Sequence, residues 1–222
     1  MLFIEIYVFL QLSSEIINEK IKKHTTMKRI TLMFALVIAI FSATSCLSQE
    51  EKASKVKWMS VQDAVNQGQK DGKNAKLIFI DCYTSWCGWC KVLDQKSFSN
   101  DTVAAILNYY YYPCKFDAEG KDVITIGGET YNPSAKSGRG ASHELMKVIW
   151  AGQNGGGYPT MAIRKGDFKP VDCLMGYLSP NELEPVLIYY AEGFNKEMSF
   201  EKFSDKYADK YRQDVLKKVL NK

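Results

Sequence analysis

Apolar and polar positions along this chain fall into blocks that read alternately as helix and strand. Ser60-Val61-Gln62-Asp63 can cap a helix running to about Lys70, and Asp71-Gly72-Lys73-Asn74 stops it. Residues 76–81 follow as a strand built on the apolar run Leu77-Ile78-Phe79-Ile80. Residues 87–98 read as a helix with Val92, Leu93 and Phe98 on its apolar positions. Asn100-Asp101 caps a short helix through Leu107. Residues 109–116 are rich in β-forming aromatics and read as a second strand, although Pro113 cannot donate to a ladder.

Residues 119–140 are the least regular part, punctuated by Gly127-Gly128, Asn132-Pro133 and Gly138-Arg139-Gly140, with a short strand expected at 123–126. A helix over 142–151 precedes the glycine run Gly155-Gly156-Gly157, read as a flexible approach to Tyr158-Pro159-Thr160. Strands at 160–164 and 171–175 flank Lys165-Gly166-Asp167 as a hairpin. Ser179-Pro180-Asn181-Glu182 opens a helix to about Ala191, with Pro185 inside it. A charged amphipathic tail over 199–220 spaces Phe203, Tyr207, Tyr211 and Val215 four apart. Strands alternating with helices predict an α/β fold with a central mixed sheet flanked by helices, plus a C-terminal helical extension.

The first 45 residues are set apart from that fold. Lys28-Arg29 precede an uncharged run from Ile30 to Phe41, followed by Ser42-Ala43-Thr44-Ser45-Cys46. This is the pattern of a secretory signal, and the run is shorter than the ~20 residues a spanning helix needs. Met27 is a natural start. The expected organisation is therefore an upstream extension at 1–26, a signal at 27–45, a linker at 46–55, a domain at 56–193 and a helical tail at 194–222. Ala43-Thr44-Ser45-Cys46 is also similar to a bacterial lipobox, with Ala43 where a Leu is usual. Cys46 is thus a candidate for lipidation and membrane attachment, the alternative being plain cleavage and a soluble exported protein.

The composition narrows the function. At 46% hydrophobic and 24% charged over 222 residues, the chain has an ordinary globular make-up. The net charge of +4 is small and spread out, with no basic stripe to bind nucleic acid. Six cysteines do not make a disulfide scaffold at this length. Cys82, Cys114 and Cys173 fall in or beside expected strands as small buried hydrophobes. His24 lies upstream of the signal, and His143 reads as a surface helix residue. No histidine accompanies Cys87 and Cys90, so a zinc site lacks its other ligands. The glycine run lacks the Lys-Ser/Thr of a phosphate loop.

The chemistry concentrates in Trp86-Cys87-Gly88-Trp89-Cys90-Lys91. Two thiols three positions apart on the first turn of a helix can close a disulfide, and the helix end favours a thiolate on the first. With these residues the chain resembles the thioredoxin superfamily, in particular its exported bacterial thioredoxin-like members, over about residues 56–193. Asp81, six residues before Cys87, stands where such proteins carry a buried carboxylate. Trp86, Lys115 as the carboxylate's neighbour, Tyr158-Pro159-Thr160 as a cis-proline segment opposite the cysteines, and Gly176 also match. Trp89 departs from the Pro or His common at that position, which leaves the direction of electron flow open.

The resemblance implies a thioredoxin-like fold and a protein thiol:disulfide oxidoreductase that needs no cofactor beyond its own disulfide and no metal. Cys87 is expected to be the exposed, lower-pKa nucleophile and Cys90 the more buried resolving thiol. Asp81 is expected to take its proton, paired with Lys115; the alternative is a strand-end Asp facing solvent. Trp86, Gly88, Trp89, Tyr158 and Pro159 form the expected substrate-contacting set, with a peptide pairing along Tyr158 as an added strand. Partners would be thiols and disulfides of exported proteins, plus an unidentified redox partner in the periplasm or envelope. Two other readings stand beside it: a binding or chaperone-like module with a structural CxxC, and copper or zinc handling by the cysteine pair.

Overall fold

The structure, a computed structural model, describes residues 55–220. The expected upstream extension, the signal and nearly all of the linker lie outside the described residues, and so do His24 and Cys46. A four-stranded sheet carries the fold, in the order β2-β1-β5-β6. Strand β1 (Leu77–Tyr83) runs parallel to β2 (Tyr111–Asp117), with Asp81 beside Lys115. Strand β5 (Thr160–Arg164) pairs antiparallel with β1 and with β6 (Pro170–Met175). This mixed sheet flanked by helices is the thioredoxin-like arrangement that the cysteine motif leads one to expect.

Side-chain alternation explains why β1 is apolar without a break. Ile78, Ile80 and Cys82 enter one core, with α1 (Val61–Asp71) and α4 (Leu145–Ile149) over them. Phe79 enters the other, with α2 (Gly88–Leu93), α3 (Asp101–Tyr110) and α5 (Pro180–Ala191). A strand covered on both faces has no solvent side to mark with polar residues. Asp81 shares the face of Phe79, and Lys115 that of Tyr111, so both point toward the layer that contains α2.

Several boundaries moved for identifiable reasons. Tyr109 and Tyr110 belong to the end of α3, and β2 starts at Tyr111. The Tyr110 hydroxyl donates to Glu192, and the Tyr111 hydroxyl donates to the Leu187 carbonyl (2.5 Å), so contacts with α5 and its end override β propensity. Pro113 does lie in β2. The Pro113 carbonyl and the Lys115 N–H both bond Met59, which places the side lacking an N–H on the outer edge. The helix expected over 142–151 shrinks to Leu145–Ile149. The N–H groups of His143 and Glu144 are taken by the carbonyls of Ala118 (2.8 Å) and Asn132 (3.1 Å). The buried Arg164 closes the far end of α4, donating from Nη2 to the Val148 and Ile149 carbonyls (3.0 and 3.2 Å).

Within the irregular segment, β3 (Ile124–Ile126) and β4 (Glu129–Tyr131) form a separate hairpin. Gln62 of α1 holds it by two bonds to the backbone of Thr125, at 2.7 and 3.1 Å. At the C-terminus, α6 (Phe200–Lys206), a π-type turn (Tyr207–Tyr211) and α7 (Arg212–Leu220) pack into the core containing Phe79. Residues four apart drift about 40° per step on an ordinary α-helix. The wider turn absorbs this drift, and Phe203, Tyr207 and Val215 all end up buried. Glu184 on α5 anchors the tail: Arg212 donates to both its oxygens (2.6 and 3.3 Å), and the Tyr207 hydroxyl to one of them (2.9 Å). Among the described residues no helix is long and apolar enough to cross a membrane.

Candidate active site

Strand β1 ends at Tyr83, and the chain turns through Thr84, whose carbonyl accepts the N–H of Cys87 (3.1 Å). Cys87 is the N-cap of α2 and is joined to Cys90 by a disulfide, with Cα atoms 5.3 Å apart. The Cys87 sulfur also accepts the N–H of Cys90 (3.1 Å). Both cysteines are only 4% exposed, so the nucleophile is no more accessible than its partner in this oxidised form. Trp86 (41%) and Trp89 (63%) take the surface on either side, with Gly88 exposed between them. The two sulfurs differ in hydrogen bonding: Cys87 receives an N–H from the first helical turn, which favours charge on that atom.

Asp81 is fully buried and meets Lys115, Nζ to Oδ2 3.0 Å. Its Oδ1 has no hydrogen-bond partner among the described residues. Burial pushes the Asp81 carboxyl up to about 6, and the Lys115 charge only partly offsets this. Burial also works against charge on Lys115. Asp81 and Asp94 nevertheless hold its pKa above the ordinary lysine value. Asp94, in the π-type turn that continues α2 (Asp94–Phe98), bonds the same Nζ. That ammonium also lies over the rings of Trp58, Tyr83 and Phe98, at 5.1 to 5.6 Å. The alternative of a strand-end Asp facing solvent does not describe Asp81.

The Tyr158-Pro159 bond is cis, and the Pro159 carbonyl accepts the N–H of Gly176 (2.9 Å). The Tyr158 ring meets Trp86 edge-on at 6.0 Å, which joins this segment to the cysteine motif. No described residue bonds the backbone N–H or C=O of Tyr158. Trp89 leans on Tyr177 at 5.8 Å, beside the exposed Met175. The glycine run is more than a loose approach to the proline. A Cβ on Gly156 would fall 2.5 Å from the Trp150 indole, whose N–H donates to Thr160 Oγ1 (3.1 Å).

Sequence reasoning named Cys87, Cys90, Asp81, Lys115, Trp86, Gly88, Trp89, Tyr158 and Pro159, and the structure brings them to the end of the sheet where β1 finishes. It missed Asp94, Glu119 and Arg139. Glu119 accepts the Trp86 indole N–H (2.8 Å) and the Gly140 N–H (2.5 Å), and Arg139 lies 4.3 Å over the Trp86 ring. These contacts join residues far apart in the chain and leave no local pattern, whereas the acid at Asp94 could have been suspected from its place on the motif helix. His143 corrects an expectation. It is buried against Phe116, with Nδ1 accepting the Leu145 N–H (3.1 Å) and Nε2 on the Asp122 carbonyl (2.8 Å). Cys82 and Cys114 are fully buried free thiols and Cys173 is half-buried; burial raises the pKa of all three. No three His, Cys, Asp or Glu side chains converge as metal ligands among the described residues. A cleft of ≈ 830 Å³ opens at the other end of the sheet, lined by Leu77, Lys165, Tyr190 and Lys196 among others. None of the cysteine-motif residues reaches it.

The family described as Thioredox_DsbH, protein of unknown function (DUF255), matches residues 39–138, a little under half of the chain. An uncharacterized protein of Caenorhabditis elegans is 29% identical over 104 residues, which is 46% of this chain and 12% of the worm protein. A thioredoxin-fold protein from Helicobacter pylori is 16% identical, with a TM-score of 0.46 over 78% of this chain and 98% of its own. A putative disulphide-isomerase from Bacteroides thetaiotaomicron is 24% identical, with a TM-score of 0.39 over 60% and 89%. The fold assignment rests on this chain's own strand order, motif and proline segment.

Proposed function

We propose that this thioredoxin-fold chain is a thiol:disulfide oxidoreductase acting on exported proteins, with Cys87 as nucleophile and Cys90 as resolving thiol. The observation that carries the reading is the Cys87–Cys90 disulfide at a helix start, its first sulfur bonded by the Cys90 N–H, on the layer into which Asp81 and Lys115 point. In the reducing direction the Cys87 thiolate attacks one sulfur of a substrate disulfide and expels the other as a thiolate. Cys90 then loses its proton, attacks the Cys87 sulfur and releases the second substrate thiolate. Two electrons pass to the substrate, and the Cys87–Cys90 bond closes.

Asp81 suits the proton-accepting role because it is buried, burial raises its pKa to about 6 and one of its oxygens is open. The same steps run backwards when the protein oxidises dithiols, and the partner that recharges the pair sets the direction. The substrate's backbone would pair with Tyr158, between the walls made by Trp86 and by Trp89 with Tyr177. Export is supported by the charged, apolar and small-residue succession at 28–46, and Cys46 is the candidate lipid attachment point.

Purified protein is expected to reduce insulin with dithiothreitol as electron source. The Cys87→Ser variant is expected to give only the rate of dithiothreitol alone. A Cys87/Cys90 double Ser variant that kept the wild-type biological role would instead favour a binding module with a structural disulfide.

A further inference from the structure

A charged clasp sits on the tryptophan next to the nucleophile. Glu119 closes the base of the irregular segment, with one oxygen on the Trp86 indole N–H and the other on the Gly140 N–H. This fixes Arg139, whose guanidinium carbon lies 4.3 Å over the Trp86 ring. Both Glu119 oxygens are thus turned to N–H donors, and Arg139 forms no ion pair with any described residue. Arg139 is exposed, so its guanidinium N–H groups are open to a ligand from solvent. Trp86 also meets the Tyr158 ring edge-on at 6.0 Å, and no described residue bonds the backbone N–H or C=O of Tyr158.

We infer that Arg139 is a specificity residue, selecting substrates with a carboxylate beside the reacting cysteine. This rests on the oxidoreductase reading and adds a substrate class to it. A peptide paired with the Tyr158 backbone runs along Trp86, and its side chain on that side comes within reach of the guanidinium. A carboxylate there can take two parallel N–H bonds from the fork, whereas an ammonium meets a like charge. The cation over Trp86 is already held in place, so little side-chain freedom is lost when the carboxylate docks.

The test uses the full chain and disulfide-linked peptides that differ only in having Glu, Gln or Lys beside the cysteine. Wild type is expected to prefer Glu over Lys by about threefold to fivefold in kcat/KM at low salt, the range of a partly exposed ion pair. The preference should shrink toward unity near 1 M salt, where screening acts within ~3 Å. Arg139→Gln should abolish the preference and Arg139→Glu should reverse it, circular dichroism confirming that both fold. An Arg139→Gln variant that keeps the preference overturns the proposal, and so does a wild type that turns over all three peptides equally. A wild type inactive on every peptide and on insulin overturns the oxidoreductase reading, and this inference with it.

Discussion

Two buried carboxylates on this fold meet a cation each, and they are treated in opposite ways. Glu184, where the tail docks, has both oxygens bonded: Arg212 reaches both and the Tyr207 hydroxyl one. Asp81, in the strand leading to the cysteines, has one oxygen on Lys115 and none on the other. Lys115 is itself divided between Asp81 and Asp94. A buried charge with both oxygens bonded holds structure together, whereas one left under-satisfied is pushed toward taking a proton. The structural site and the chemical site thus differ in how completely the carboxylate is satisfied, since both are buried and both have a cation.

The largest effect should come from breaking the satisfied site. Glu184→Ala leaves Tyr207 and Arg212 without their acceptor and should cost about 3 kcal/mol, toward the low end for a broken buried pair because Arg212 reaches solvent. Urea unfolding would show it, with disulfide turnover per folded molecule unchanged.

Asp81→Asn should act with the opposite sign. The folded-state value of about 6 lies above the ordinary 3.8, so the folded chain binds more protons across that interval and wild-type stability falls as pH rises through it. The variant removes this penalty. It should match wild type near pH 4 and gain about 2 kcal/mol by pH 7 to 8, somewhat less than the full shift at 1.36 kcal/mol per unit because Lys115 loses a partner. Unfolding measured at several pH values would check the slope, and a gain that shrank with rising pH would contradict it.

A kinetic counterpart follows from the same carboxyl. Resolution of the mixed disulfide by Cys90 should accelerate as pH rises through about 6 in wild type. In Asp81→Asn that inflection should vanish and the step should slow by about tenfold or more, within the usual range for general-base assistance. The smallest stability effect belongs to the surface. Trp89→Ala, at a residue 63% exposed, should change stability by less than about 0.5 kcal/mol. It should raise the KM for a protein substrate while leaving the reduction of a small aliphatic disulfide unaltered.

How far these sites could be read from the chain depends on the distance over which they are built. The cysteine pair, its place at a helix start and the helix start at Ser179-Pro180-Asn181-Glu182 are local, and the pattern located each of them. The apolar run of β1 was equally legible, because a strand buried on both faces carries no polar side. Tyr109 and Tyr110 misled because β propensity gave way to packing of their helix against α5; Pro113 stays within the expected strand because its side lacking an N–H is the outer edge, which only the sheet shows. His143 looks like a surface residue until Phe116 and the Asp122 carbonyl are brought to it across the fold. The clasp of Glu119 and Arg139 on Trp86 has no sequence signal at all, since its partners are separated by long stretches of chain. The tail's four-residue spacing was visible, but not the π-type turn that makes it a single buried stripe.

The most direct test of the central claim is chemical trapping. Cys90→Ser removes the resolving thiol and leaves the Cys87 sulfur able to attack but not to release. Among the described residues Cys82 and Cys114 are fully buried and Cys173 is half-buried, and the double Ser variant measures the background from every thiol other than the pair. Incubated with envelope proteins, this variant should accumulate reductant-sensitive adducts joined through Cys87, and the Cys87/Cys90 double Ser variant should not. Equal adducts in both variants, or none in either, would contradict the account.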